Sequence, residues 1–314
     1  MKSRVHPKYK TKYRVKNWPS YDRALIQRGD LTVWLSPEAV RAWRPRSSGR
    51  RGGQRRYSDL AIETAWTLRL IFGLPLRQTE GFLHSLFSLM GVDLVAPDHT
   101  TLSRRSQRLQ VKLRRAKEKG PIHLIVDSTG LSIVGEGEWA AVKHGGKGQR
   151  GWKKLHLGVD GSGRIVAQVL TDGNADDAKT GLDLIDGVQG DIASFTADAA
   201  YDTIAIYEAA RKRGAKVVVP PTRTATVSRR GRRSVARDRT IKKVKEIGRR
   251  EWKKESGYHQ QARAENAFFR YKLLIGDRLR ARHPEAREAE ALLACNILNR
   301  MTDLGRPAAY AIGA

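Results

Sequence analysis

Three acidic residues, Asp127, Asp198 and Glu265, stand where carboxylates can do chemistry. Asp127 closes the apolar run Ile122-His-Leu-Ile-Val and is followed by Ser-Thr-Gly. Asp198 closes Ser194-Phe-Thr-Ala and is followed by Ala-Ala-Tyr201-Asp202, while Glu265 lies in a helical-looking stretch from Tyr258 to Lys272. An acid at the end of a buried strand is costly unless something cationic compensates it. Three such acids can hold two divalent cations about 4 Å apart, one activating the attacking oxygen and the other stabilising the leaving oxygen of an in-line phosphoryl displacement. All-oxygen ligands suit Mg²⁺, which keeps part of its water shell and takes further ligands from substrate phosphate; Mn²⁺ can substitute. Each acid alone also has an ordinary reading. A strand-end Asp opens an Asx-turn, and a helical Glu near Arg forms a surface pair.

The elements that must position these acids follow from periodicity. After Gly120-Pro121 the chain reads as strands: an apolar run to Asp127, then Lys154–Asp160 and Ile165–Leu170 alternating with period two around the turn Gly161-Ser-Gly-Arg, which makes a hairpin. A helix over about 177–187, a strand to Asp198, a helix over about 203–213, a strand over 216–220 and a last helix over about 284–303 complete the set. The order β-ββ-α-β-α-β-α predicts an α/β domain over 119–314, a ribonuclease-H-like mixed sheet with flanking helices. Residues 222–254 interrupt it with a dense basic insertion, loop first (Arg229, Arg230, Arg232, Arg233) and then helical (Lys242 to Lys254).

Upstream, residues 1–56 read as a basic arm with scattered aromatics and a Ser36 helix cap. It ends in a flexible Gly/Ser/Pro linker carrying Arg44, Arg46, Arg50, Arg51, Arg55 and Arg56. Residues 57–118 read as a helical DNA-binding domain. Ser58 caps one helix, a second runs about 77–90, and a basic third starts at Asp98 or Thr100 with Arg104, Arg105 and Arg108, which fits a helix-turn-helix. An ordinary three-helix bundle with a solvated arginine face fits the same pattern.

Lys and Arg number 60 against 32 Asp and Glu, a net charge of +28, and that excess points to a polyanionic partner. The hydrophobic fraction of 40% is too high for a disordered basic tail. Cys295, the only cysteine, sits in the apolar run Glu290-Ala-Leu-Leu-Ala-Cys-Asn-Ile-Leu, so a core position is expected and a cysteine zinc cluster is excluded. No apolar stretch approaches the ~18 residues of a membrane span, and the first ten residues lack the apolar core of a signal peptide. A soluble, intracellular protein is expected.

The stretch around Glu265 resembles the Tyr-x2-Arg-x3-Glu-x6-Lys signature of bacterial insertion-sequence transposases of the DDE class. Tyr258, Glu265 and Lys272 fall at the expected offsets. Asp127-Ser-Thr-Gly and Asp198-Ala-Ala-Tyr201-Asp202 resemble the first and second acidic motifs. The likeness extends to the Asn17-Trp18-Pro-Ser-Tyr21 opening, to Arg28-Gly-Asp-Leu-Thr-Val-Trp34 and to the His99-Thr-Thr-Leu-Ser-Arg helix. It implies a transposase that binds the inverted-repeat ends of a mobile element, cleaves them and joins the 3′-OH to target DNA, as a homodimer in a synaptic complex. It also implies Asp127, Asp198 and Glu265 as catalytic metal ligands, and Tyr258, Lys272 and the signature Arg position as DNA contacts. That Arg position holds Gln261, which is uncharged. Arg263 is the nearest cation, yet two steps along a helix point it about 200° away. The rival readings are a nuclease of the same fold that cannot join DNA, and a DNA-binding regulator with degenerate acids. Arg104 and Arg105 are further candidate DNA contacts. Tyr258 and Lys272 are placed on Glu265's side of one helix. Asp176 and Asp177 read as helix caps rather than ligands, and His144, His156 and His259 as structural or phosphate-contacting. Trp139 and Trp152 flank Lys143, His144, Lys147 and Arg150 in a loop able to stack an unpaired base.

Overall fold

The computed structural model describes residues 12–46, 49, 51–114, 120–135, 151–228, 231 and 234–312. Arg50, Trp139, Lys143, His144, Lys147, Arg150, Arg229, Arg230, Arg232 and Arg233 lie outside the described residues.

Local capping chemistry starts the helices. After strand β1 (Lys12–Val15) come α1 (Trp18–Gln27), α2 (Leu31–Trp34) and α3 (Pro37–Arg41), the last begun by Ser36, whose hydroxyl accepts from the Ala39 amide. Ser58 does the same for α4 (Asp59–Ile71), which is followed by α5 (Leu76–Leu89). Asp98 caps α6 (His99–Ser106) through the amides of Thr100 and Thr101. Trp34, Leu35, Ala39 and Trp43 share one core with Ile62, Leu68, Leu83, Phe87 and Leu102. Residues 31–43, expected within a basic arm, therefore pack into the helical layer. Their aromatics bury ring area while the polar tips stay satisfied: the Trp34 indole N–H donates to the Arg28 carbonyl (2.9 Å) and that of Trp43 to Val95 (2.9 Å). Between α3 and α4 the described residues form no helix or strand.

The sheet contains β2 (Ile122–Ile133), β3 (Trp152–Val159), β4 (Ile165–Asp172), β5 (Ile192–Thr196), β6 (Lys216–Val218) and β7 (Arg278–Leu279). Helices α7 (Asp177–Gly187), α8 (Ile204–Lys212), α9 (Val235–Ile247), α10 (Arg249–Glu255), α11 (Ala262–Leu274) and α12 (Pro284–Leu304) flank or interrupt it. A final strand β8 (Ala309–Ile312) pairs antiparallel with β1. The strand order is β4-β3-β2-β5-β6, with the hairpin side antiparallel and β2-β5-β6 parallel. This is the ribonuclease-H-like mixed sheet expected from the element order.

Strand β2 does not end at Asp127, as its Ser-Thr-Gly sequel suggested. It continues to Ile133, because β3 pairs with it from Ile125↔Val159 to Ser132↔Trp152. Gly130 permits this: a Cβ there would stand 2.8 Å from the Trp152 ring. Trp152 lies across Gly130 and Gly173, which gives it a structural place on the hairpin. The other edge of β2 is shared. β5 pairs with Ile122–Ile125 and β7 with Ser132–Ile133, leaving a notch between them at residues 126–131.

Helix α12 closes two cores at once. Leu293, Ile297 and Met301 enter the helical core, whereas Ala291, Ala294, Cys295 and Leu298 pack under the sheet with Leu155, Leu157 and Phe268. Cys295 is thus the core residue expected. Asn299 fastens the helix to β4 by hydrogen bonds to both the amide and the carbonyl of Ile165 (2.8 Å each). The helical layer and the sheet are therefore continuous through α12, across the boundary expected near residue 118.

Candidate active site

The register of two parallel strands brings the first two acids together. Ile125 pairs with Thr196, and two extended residues further along each chain stand Asp127 and Asp198. Adjacent strands lie about 4.8 Å apart, and residues two apart share a face, so both carboxylates project to one side at neighbouring positions. On that side Ile125 and Leu131 pack with Ala264, Ala267 and Phe268 of α11, while Leu124 and Val126 face α7 and α8. Asp127 and Asp198 therefore face the helix that carries Glu265.

Each aspartate uses one oxygen locally. Asp127 Oδ1 accepts from the Ser128 amide (2.8 Å), and Asp198 Oδ1 accepts from Ala200 (2.9 Å) to cap a 3-10 turn, Ala199–Tyr201. Asp198 is thus both the turn-opening aspartate of the ordinary reading and a member of the cluster. Burial pushes the Asp127 carboxyl up to about 6. The Ser128 hydrogen bond opposes the rise, and the charges of Asp198, Glu265 and Asp177 add to it. Asp198 is also raised, first by burial and then by Asp177.

Glu265 is exposed, one turn into α11. Among the described residues no three His, Cys, Asp or Glu side chains are gathered closely enough to hold a metal ion. The donors are all oxygen, as a hard divalent cation prefers, no ion pair holds any of the three among the described residues, and the charges of Asp198, Glu265 and Asp177 add to the proton affinity of Asp127.

Gln261 is the main correction to the expected DNA contacts. It is 5% exposed, and its Nε2 donates to the Val126 carbonyl (3.0 Å) inside the notch beside Asp127. Its Oε1 finds no partner among the described residues. The side chain is a strut between the α11 entrance and β2, and it offers nothing to a surface phosphate. Arg263 is turned elsewhere too, donating to the Gly161 carbonyl in the β3–β4 turn. Tyr258 does not share a helix with Glu265. It belongs to a 3-10 turn, Tyr258–Gln261, which shifts the angular phase before α11 begins. Its hydroxyl still belongs to the acidic neighbourhood, pushed up to about 12 by burial and then by Asp198, Asp127 and Glu265.

Lys272 is exposed two turns beyond Glu265, on the same stripe of α11. In the helical layer Arg104 is exposed, but Arg105 donates to the Tyr57 carbonyl (2.9 Å) and pairs with Asp59. Arg105 is thereby committed to internal contacts.

Asp176 and Asp177 divide the work expected of them as caps. Asp176 caps α7 through the Lys179 amide (2.8 Å). Asp177 approaches the cluster from the opposite face of the sheet, 3.2 Å from Lys154 Nζ and 3.5 Å from His156 Nδ1. His156 is fully buried and pushed down to about 4 by that burial, so it is neutral and structural. Adjacent acids at a helix start carry no signal in sequence for which one turns inward.

Two family comparisons bear on this arrangement. The family described as "Transposase DDE domain" matches residues 118–300, and a second family of the same description matches residues 26–136. The chain belongs to the DDE transposase family. The first match spans all three acids, and both spans include Asp127. Transposases of this family use divalent metal ions and act on DNA. No described helix is long and apolar enough to cross a membrane.

Proposed function

We propose that this transposase binds the inverted-repeat ends of a mobile element, cleaves them, and joins the freed 3′-OH to target DNA, working as a homodimer in a synaptic complex. The observation that carries the reading is the parallel pairing of β2 with β5, which runs to Ile125↔Thr196 and leaves Asp127 and Asp198 each two residues beyond it, beside the notch in the sheet. Asp127, Asp198 and Glu265 would hold two Mg²⁺ ions, replaceable by Mn²⁺, whose chemistry when bound is to neutralise the phosphate and stabilise the entering and leaving oxygens.

The chain's own groups set the rest. The aspartate oxygens not used by backbone amides are the ones offered to ligands. Tyr258 keeps its proton at neutral pH and can donate to a phosphate oxygen. Lys272 extends positive charge along α11 from Glu265, and the exposed cations of α9 and α10 continue it. Arg104 on α6 reaches duplex backbone in the helix-turn-helix reading. In cleavage a water oxygen attacks phosphorus and the 3′ oxygen leaves; in joining that 3′ oxygen attacks a target phosphorus and the target strand's own 3′ oxygen leaves. No Tyr or Ser nucleophile is required.

Asp127→Ala should reduce single-turnover cleavage of end DNA by at least about a thousandfold, the scale of losing a metal's charge stabilisation. End binding in a gel shift should persist. Cleavage at the wild-type rate rejects the assignment. Pre-cut ends separate a transposase from a nuclease of the same fold, because only the transposase converts them into joined product.

A further inference from the structure

Asp202 closes the 3-10 turn that Asp198 opens, its amide donating to the Ala199 carbonyl (3.2 Å). Its side chain is fully buried and meets Arg237 in a two-pronged pair, Nε to Oδ1 and Nη2 to Oδ2, both 2.8 Å. Oδ2 also accepts from the Thr222 amide (3.2 Å), where the chain leaves β6 for the basic insertion. Arg237 stands in the first turn of α9, and Asp238 beside it is held by Ser228 and Ser234. The insertion is fastened again at its far end. Arg249 donates to the Pro221 carbonyl (2.7 Å), and Lys253 Nζ lies 4.5 Å above the Tyr258 ring. Its outer surface meanwhile carries exposed Arg239, Lys242, Lys245 and Arg250.

A buried ion pair is seldom the most stable way to fill a core, since apolar residues of similar volume often do as well. What a two-pronged pair supplies is orientation, because the planar guanidinium fits the carboxylate in one arrangement. Here that orientation is imposed on a five-residue turn whose other end is Asp198.

We propose that Asp202 and Arg237 are positioning residues, a latch that holds the Asp198 carboxylate in a fixed relation to the DNA-facing insertion. Neither touches substrate. The inference rests on the proposed role of Asp198. It predicts that the latch matters to ligand geometry at Asp198 more than to folding or to DNA affinity.

The test compares wild type, the paired variant Asp202→Asn/Arg237→Met, which strands no buried charge, and Arg237→Lys. Four quantities are measured: melting midpoint, gel-shift Kd for end DNA without divalent metal, Mn²⁺ affinity of the free protein by electron paramagnetic resonance, and single-turnover cleavage. The paired variant should melt near wild type and bind end DNA within about threefold, while Mn²⁺ affinity and cleavage each fall by about tenfold or more, as for lost outer partners of metal ligands. Arg237→Lys, which keeps the charge without the fork, should fall between the two. Wild-type Mn²⁺ affinity and cleavage in the paired variant overturn the latch and leave the catalytic reading standing. Should the paired variant not fold, Arg237→Lys decides on the same two measurements. If the wild type neither binds Mn²⁺ nor cleaves, the reading of Asp198 fails first and the latch with it.

Discussion

The helical layer and the sheet use their carboxylates in opposite ways, and Asp98 and Asp127 show it. Asp98 begins α6 and gathers donors: the amides of Thr100 (3.0 Å) and Thr101 (2.8 Å) and the Thr101 hydroxyl (2.7 Å). The hydroxyls of Thr100 and Thr101 hold its carboxyl far below the usual range. Asp127 gathers other acids. It is partly buried, has one backbone amide as partner, and is pushed up to about 6. One acid completes its surroundings; the other leaves them wanting a cation. Donor count and neighbour charge, rather than place at the end of an element, set these two aspartates apart.

Asp127→Asn breaks that contrast most strongly. The folded carboxyl titrates above its ordinary 3.8, so the folded state binds more protons than the unfolded state between the two values. Stability conferred by that proton is complete at low pH and lost as pH rises through about 6. Without metal, Asp127→Asn should therefore be more stable than wild type at about pH 8, by up to about 3 kcal/mol, and no more stable at about pH 3.5. Thermal melts across pH measure the difference. A gap that does not grow between those limits contradicts the electrostatic account of the site.

Gln261→Ala is the next largest effect. It strands the buried Val126 carbonyl and leaves a small void, costing about 2 kcal/mol at every pH. Restoring the signature residue with Gln261→Arg should destabilise too, since a guanidinium would enter a site that is 5% exposed beside a backbone carbonyl. Urea denaturation of the two variants checks both.

Asp98→Ala is the smallest, about 1 kcal/mol for a lost cap. Its pH sign is opposite to that of Asp127. A depressed carboxyl contributes stability above its ordinary value and loses it as pH falls, so the variant should differ from wild type at neutral pH and converge with it in acid. Cleavage by the folded fraction should be unchanged.

What sequence made legible was local. Ser36, Ser58 and Asp98 act as the caps their positions suggested, because capping joins a side chain to an amide two or three residues away. The β3–β4 hairpin is equally local, with Asp160 Oδ1 accepting from Ser162 and Arg164 across the turn. The parts that depended on distant partners were not legible. Ser128-Thr-Gly looks like a turn until β3 pairs with it, and Trp34 and Trp43 look like scattered aromatics of a basic arm until the helical core covers them. Gln261 sits at a DNA-contact spacing, but a 3-10 turn changes its direction and Val126 takes its amide. The clustering of Asp127 with Asp198 was an expectation from spacing and resemblance, and its physical basis is a parallel register that no short motif encodes.

The most direct measurement is Mn²⁺ titration of the free protein at about pH 8, read by electron paramagnetic resonance for wild type, Asp127→Asn, Asp198→Asn and Glu265→Gln. The account predicts saturable binding in wild type that each single substitution weakens by about tenfold or more, as loss of a charged ligand requires. Binding of equal strength in all four proteins would show that these carboxylates do not share an ion.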